Sequence, residues 1–176
     1  MKISEYKKII ILGNGGSGKS TLGEKFSKYL NIPVYHLDKL TFKTGWVTVN
    51  EKEFTGQLKK ILLTDEWIIE GWSYNSTIPM RLSAADLIIY LELRVWLCYW
   101  YALKRHLQYT FKQNPYDPPH SNIWKKTIRM VKAMWIVHKI YEPQLRELLT
   151  NYTESKTIIR LHSRNELNEF LHKDIG

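Results

Sequence analysis

The sequence predicts an α/β fold in three layers, a five-stranded parallel sheet flanked by helices on both faces. Three observations carry this. Short apolar, β-branched runs alternate with longer amphipathic segments along the chain. The first run passes through a glycine-rich loop directly into a helical pattern. A later run, residues 86–91, is almost continuously apolar, as a strand covered on both faces must be.

Taken in order, residues 7–12 form the first strand and end at Gly13, and residues 19–30 form a helix with Leu22, Phe26, Tyr29 and Leu30 as its apolar positions. Residues 33–37 make a short second strand, with Pro33 at the first position, where its missing N–H is tolerated. Asn50 caps a helix, Glu53 stands three residues on, and Phe54, Leu58, Ile61 and Leu62 line one face. Residues 67–70 are the third strand, ended by Gly71, and residues 86–91 the fourth. A helix over residues 94–111 is broken by Asn114-Pro115-Tyr116-Asp117-Pro118-Pro119, because proline lacks the N–H and extends the residue before it. The break, residues 113–121, reads as a short lid or a plain connector. Residues 121–149 are helical again, kinked or split at Pro143. Residues 157–161 are the fifth strand, and Ser163 with Glu166 caps a last helix. The Trp96, Trp100 and Trp124, Trp135 pairs sit at or near helical spacing and are expected in the core.

The composition sets the outer limits. A length of 176 residues with 44% hydrophobic content supports one domain over residues 1–176, without disulfides or a structural metal. Cys98 is the only cysteine, so a reducing, cytoplasmic compartment is expected. The longest uncharged aromatic stretch, residues 95–103, is about half the ~20 residues a membrane span requires. A formal net charge of +9 favours anionic partners but does not rank metabolites, nucleotides and nucleic acid.

Gly13-Asn14-Gly15-Gly16-Ser17-Gly18-Lys19-Ser20 matches G-x-x-x-x-G-K-[ST] in full, between an apolar strand and a helix. The glycines let successive N–H groups point inward, and the helix N-terminus adds partial positive charge at the same place. Polyphosphate is the natural guest. The motif therefore predicts a P-loop that binds a nucleoside triphosphate with Mg²⁺. The motif alone does not separate ATP from GTP, and ATP is the expected cofactor of the leading reading below. Lys19 reaches the β- and γ-phosphates, Ser20 takes one position around the metal, and Thr21 supports the α-phosphate. A guanine-reading Asn-Lys-x-Asp segment does not occur, nor does a strand ending in Asp-Glu, so switch GTPases and large ATPases are disfavoured.

Beyond the loop, His36-Leu37-Asp38, Gly45-Trp46, Trp67-Ile68-Ile69-Glu70-Gly71, Arg81 with Ala85-Asp86, and Leu91-Glu92-Leu93-Arg94 follow in order. With the P-loop, this set resembles the adenylate-kinase-like small-molecule kinases, and more closely the bacterial topology-modulation (FlaR-related) proteins. The resemblance covers most of the chain. It departs at Glu70-Gly71-Trp72-Ser73-Tyr74, where family members commonly carry Asp-Gly-Asn-Tyr, and at Leu91-Glu92-Leu93-Arg94, where they commonly carry Leu-Asp-x-Pro-Arg. The resemblance implies an adenylate-kinase-like P-loop NTPase fold with a short lid. It also implies that Glu70 lies beside the P-loop, where it would hold Mg²⁺ through water, and that arginines stand on the lid and its two flanking helices.

The acceptor side is less determined. Asp38 follows the second strand at the carboxyl end of the sheet, where open α/β sheets place ligands; it either orients or deprotonates an acceptor hydroxyl, binds a metal-coordinated water, or simply caps a turn. Arg81, Arg94, Lys104, Arg105 and Arg129 are candidates for clamping phosphates, with Arg105 and Arg129 foremost because they flank the proline-rich break. Trp46, Trp72 and Tyr74 either stack a planar acceptor or pack. His36 adjoins the site and is expected to be structural.

These features predict an ATP-dependent phosphotransferase acting on a small molecule such as a nucleoside or nucleotide, with no membrane partner and with oligomeric state open. A second reading is an ATP-binding regulator that associates with DNA; it is weaker, because no helix-turn-helix, zinc finger or basic tail is evident. A simple NTP hydrolase is a third, and a water-excluding lid argues against it.

Overall fold

The computed structural model describes residues 2–43, 47–108 and 123–175. A short 3₁₀ turn (Ile3–Glu5) leads into β1 (Lys8–Gly13), α1 (Lys19–Leu30), β2 (Val34–His36) and a five-residue helix α2 (Leu37–Thr41). A small antiparallel hairpin of β3 (Phe42–Lys43) and β4 (Val47–Thr48) precedes α3 (Glu51–Leu62), β5 (Trp67–Glu70), α4 (Ile78–Ala84), β6 (Leu87–Leu91) and α5 (Val95–Gln108). Next, α6 (Ile123–Ile136) runs through a π-helical turn, Val137–Tyr141, into α7 (Glu142–Thr150), and the chain ends with β7 (Thr157–Leu161) and α8 (Arg164–Ile175). The main sheet has the order β2-β5-β1-β6-β7, and every pairing in it is parallel, as the sequence predicts.

Strand side chains alternate between faces, so the isoleucine-rich strands supply two cores at once. Ile9, Ile11, Ile68 and Ile89 meet α1 through Leu22 and Phe26, and α8 through Leu167. On the other face, Ile10, Leu12, Ile69 and Ile88 meet Phe54 and Leu58 of α3, Ile78 and Leu82 of α4, and Leu145 and Leu149 of α7. The eight strand residues named are fully buried, each contributing roughly 1.5–3 kcal/mol relative to exposure. β1 is the central strand, and its carboxyl end is where connections depart to opposite sides of the sheet, the usual place for a ligand crevice.

The helix starts are chemical. Asn50 Oδ1 accepts from the Glu53 N–H at 2.9 Å, and Ser163 Oγ accepts from the Glu166 N–H at 3.1 Å, while Glu166 Oε2 accepts from the His162 N–H at 2.8 Å. In contrast, α1 has no side-chain cap; it begins at Gly18 in the left-handed region, φ 99°. The predicted long helix continues past Pro143, which follows the π-helical turn Val137–Tyr141 and stands in the first turn of α7.

Three expectations are corrected. β2 ends at His36, so Asp38 sits in the first turn of α2 instead of at a strand end. The hairpin and α4 are additional elements, too short to show a period. Trp96, Trp100 and Trp135 are 58%, 59% and 52% exposed, outside the core. α5 packs through its opposite side, where Cys98 and Ala102 join Met134 in a small third cluster. Helical spacing shows that residues share a face, not that the face is covered. Trp124's side chain lies outside the described residues.

Candidate functional site

Gly13 closes β1, and residues 14–18 curl to the start of α1. Asn14 pins this loop from within: its Nδ2 donates to the Met134 carbonyl of α6 at 3.0 Å, and its Oδ1 accepts from the Gly15 N–H at 2.7 Å. Gly16 (φ 75°) lies so close to α5 that a Cβ there would collide with the Cys98 carbonyl oxygen, so both conformation and space require glycine. Lys19 Nζ lies along the loop, donating to the Asn14 carbonyl at 2.8 Å. The uncapped first amides of α1 complete a concentration of donors and positive charge suited to an anion.

Behind the loop is a polar cluster. Ser20 Oγ donates to Glu70 Oε1 at 3.0 Å, His36 Nδ1 meets the same oxygen at 2.7 Å, and His36 Nε2 meets Glu24 Oε1 at 2.9 Å. A ring with a carboxylate oxygen at each nitrogen is satisfied only as the doubly protonated imidazolium. Its pKa is accordingly raised, first by the Glu70 hydrogen bond, which overcomes burial, with the Glu70 charge and the Glu24 bond adding and Lys39 opposing. Burial alone would push the Glu70 carboxyl up, but the His36 bond, the Lys19 and His36 charges and the Ser20 bond hold it below its ordinary value. Glu70 is therefore an anion at neutral pH, at the end of the strand beside β1.

Asp38 differs. Its carboxylate has no hydrogen-bond partner among the described residues, and the side chain is exposed to solvent. Crowding by protein raises its pKa and the Glu70 charge adds to this, while Lys19, Arg105 and His36 pull the other way. Solvent exposure screens all of these effects. Asp38 thus combines raised basicity with three nearby cations.

A cleft of about 420 Å³ runs over the loop, lined by Gly16, Gly18, Lys19, Ser20 and Thr21 and walled by Tyr101, Lys104, Arg105, Gln108 and Arg164. Thus the structure brings together the P-loop residues and Arg105, with Asp38 and Glu70 within electrostatic reach of Lys19. Arg164 and Tyr101 are new here. The Arg164 guanidinium lies 4.5 Å from the centroid of the Tyr101 ring, a cation–π pair, and contributes to the wall over Gly18. Glu24 is also new; its i,i+4 spacing from Ser20 on α1 was the available signal.

Other predicted residues are placed elsewhere. Arg81 is fully buried and donates to the carbonyls of Thr77 (3.4 Å), Gly71 (3.1 Å) and Trp72 (2.8 Å), and burial lowers its pKa to about 9. It braces the turn after β5. Trp72 is in the core, stacked on Tyr141 with ring centroids 6.2 Å apart. Tyr74 packs on Phe54 at 5.2 Å and donates its hydroxyl to the Val49 carbonyl. These two rings are engaged in packing, and neither lines the cleft. Arg94 is exposed at the start of α5, away from the cleft lining. Trp46, residues 113–121 and the Arg129 side chain lie outside the described residues.

The donor set fits Mg-ATP. Ser20 donates its hydroxyl hydrogen bond to Glu70, which leaves its oxygen lone pairs for a cation; Glu70 Oε2 accepts no hydrogen bond from a described residue and is available to a metal-bound water. Among the described residues no three His, Cys, Asp or Glu side chains form a protein-only metal site.

The fold, a five-stranded parallel sheet flanked by helices, is shared with two shikimate kinases of known structure. A shikimate kinase from Acinetobacter baumannii, solved in complex with shikimate, superposes with a TM-score of 0.56 at 17% identity, covering 95% of this chain and 89% of that one. A shikimate kinase from Bacteroides thetaiotaomicron gives 0.52 at 18% identity, covering 96% of each chain. At such identities the likeness is one of fold. No protein-family model matches the sequence, and no curated protein matches it significantly. No helix among the described residues is long and apolar enough to cross a membrane.

Proposed function

We propose that this chain is an ATP-dependent phosphotransferase that phosphorylates a small hydroxyl- or phosphate-bearing acceptor of the nucleoside or nucleotide kind. The observation that carries the reading is Asp38, a carboxylate of raised basicity with no hydrogen-bond partner among the described residues, within electrostatic reach of Lys19 and Arg105 and of a complete phosphate loop.

Lys19, the loop amides and the start of α1 bind the phosphates of ATP. Ser20 and, through water, Glu70 hold Mg²⁺, which neutralises phosphate charge when bound. His36 keeps Glu70 ionised and oriented, with Glu24 fixing the far side of the ring. Asp38 accepts the acceptor's hydroxyl proton or hydrogen-bonds to that hydroxyl, and Arg105 faces the charge that develops on the group in transit. Arg129 would serve the same purpose from the second helix beside the break. Tyr101 and Arg164 offer flat surfaces at the cleft wall against which the base of ATP can stack. The fold shared with two shikimate kinases supports the reading.

The test is a screen of nucleosides, nucleotides and small phosphorylatable metabolites for acceptor-stimulated ADP release. At least one acceptor should raise turnover well above the rate with ATP alone. Intact ATP binding with no stimulation by any acceptor would overturn the proposal.

A further inference from the structure

Charge is distributed unevenly along this chain. Between Val95 and Tyr141 there are eight Lys or Arg residues and one acidic residue, Asp117, so seven of the nine formal positive charges fall within 47 of the 176 residues. The structure exposes large apolar side chains on the same stretch. Along α5 these are Trp96, Trp100, Leu103 (47%) and Leu107 (63%), at intervals of four, three and four, a single stripe. Along α6 they are Ile128 (60%), Val131 (43%) and Trp135, at intervals of three and four. Together they leave several hundred Å² of apolar surface in solvent, judged from ~150–250 Å² for each fully exposed aromatic ring. The largest apolar patch on a soluble monomer is ordinarily ~300–600 Å².

We propose that this α5–α6 arm docks on an anionic lipid surface. The stripes would enter the boundary between headgroups and acyl chains, and Lys132 and Lys139, both exposed, would meet lipid phosphates. Three features select this occupant. A second copy would bring another concentration of positive charge to the same face. Nucleic acid would satisfy the basic side chains but give Leu103, Leu107 and Ile128 nothing apolar to bury against. Tryptophan beside lysine, as in Trp135 with Lys139 Nζ 5.2 Å from its ring centroid, suits a boundary that is apolar on one side and wet on the other. The cleft is lined by other positions of α5, Tyr101, Arg105 and Gln108, so docking would leave it open. The inference stands apart from the phosphotransferase reading.

The experiment is sedimentation of the full chain with phosphatidylcholine vesicles, with and without phosphatidylglycerol. Binding should require phosphatidylglycerol and fall at high salt. Trp100→Ala with Leu107→Ala should weaken partition about tenfold or more, as should Lys132→Glu with Lys139→Glu, while melting temperature and ATP-analogue binding stay unchanged in both double variants. Those two controls separate a failure of docking from a failure of the cleft. Three results would overturn the proposal: no binding to phosphatidylglycerol vesicles at low salt; a dimer by light scattering that the Trp100/Leu107 variant dissociates; or retention of duplex DNA, lost in the Lys132/Lys139 variant, without retention of lipid.

Discussion

At the corner between β1 and α1, charged groups are turned inward and matched: His36 lies between Glu70 and Glu24, Ser20 lies on Glu70, and the Lys19 charge acts on Glu70. On the α5–α6 arm it is apolar groups that are turned outward, with basic side chains between them and no described carboxylate on either helix. The two regions touch where Gly16 meets Cys98 and Asn14 meets Met134. The corner is therefore largely matched in its own contacts, apart from Asp38, Glu70 Oε2 and the buried Ser17 Oγ, whereas the arm has surface that nothing in the described chain covers. Side chains of one type should behave differently in the two regions, and tryptophan gives the widest test.

Trp67 begins β5 and is fully buried in the larger core. Trp67→Ala should cost about 3–5 kcal/mol, the usual range for removing a buried large aromatic, read as a lower midpoint in urea unfolding. A loss below about 1 kcal/mol would mean that the sheet core is looser than its burial indicates.

Lys19→Ala tests the corner's purpose instead of its stability. Removing a preorganised cation from a site of developing charge lowers turnover by about 10²–10³. Acceptor-dependent ADP release should fall by that factor with little change in melting temperature. Unchanged turnover would separate the phosphate loop from the reaction.

Asp38→Asn has effects of opposite sign on rate and stability. Because the folded-state pKa is raised, the folded protein holds its proton to higher pH than the unfolded chain, and stability falls as pH climbs through that interval. Above it the cost persists. The substituted amide carries no charge, so the variant should melt higher than the parent at neutral pH, and the difference should vanish below about pH 3.9, where Asp38 is protonated in both states. Turnover should fall about 10²-fold or more. The parent's acid limb in a pH–rate profile, at a value above that of an ordinary Asp, should disappear from the residual rate. A variant that melts lower at neutral pH would show that Asp38 holds the fold together and is not a poised base.

The phosphate loop was legible in the sequence because all its parts are local: eight consecutive residues carry the glycines, the lysine and the hydroxyl, and the flanking patterns supply strand and helix. The five strands were legible because burial on both faces demands continuous apolar runs. The caps at Asn50 and Ser163 were legible because their chemistry spans three residues. The cleft wall was legible only at Lys104 and Arg105, since Arg164 meets Tyr101 from 63 residues away and no local pattern marks either. Arg81 reads in sequence like any phosphate-clamping arginine; only the fold shows its donors spent on the carbonyls of Thr77, Gly71 and Trp72. Trp72 was equally ambiguous, and Tyr141, which it stacks on, is 69 residues away.

Trp100 offers the smallest effect and the sharpest contrast with Trp67. Its spacing from Trp96 is that of two residues on one helix face, and hydrophobicity alone would put that face in a core. The structure leaves it 59% exposed, with α5 packed through Cys98 and Ala102. Truncating a side chain already largely in water removes little burial, and alanine is the better helix former. Trp100→Ala should therefore change stability by no more than about 0.5 kcal/mol, roughly a tenth of the Trp67 effect, and lower any tendency to aggregate. A loss of several kcal/mol in dilute solution would mean that the stripe is buried there, against a second copy if the loss depends on protein concentration and against the chain itself if it does not. The first result would replace lipid with self-association as the occupant of the arm, and the second would remove the contrast between the two regions.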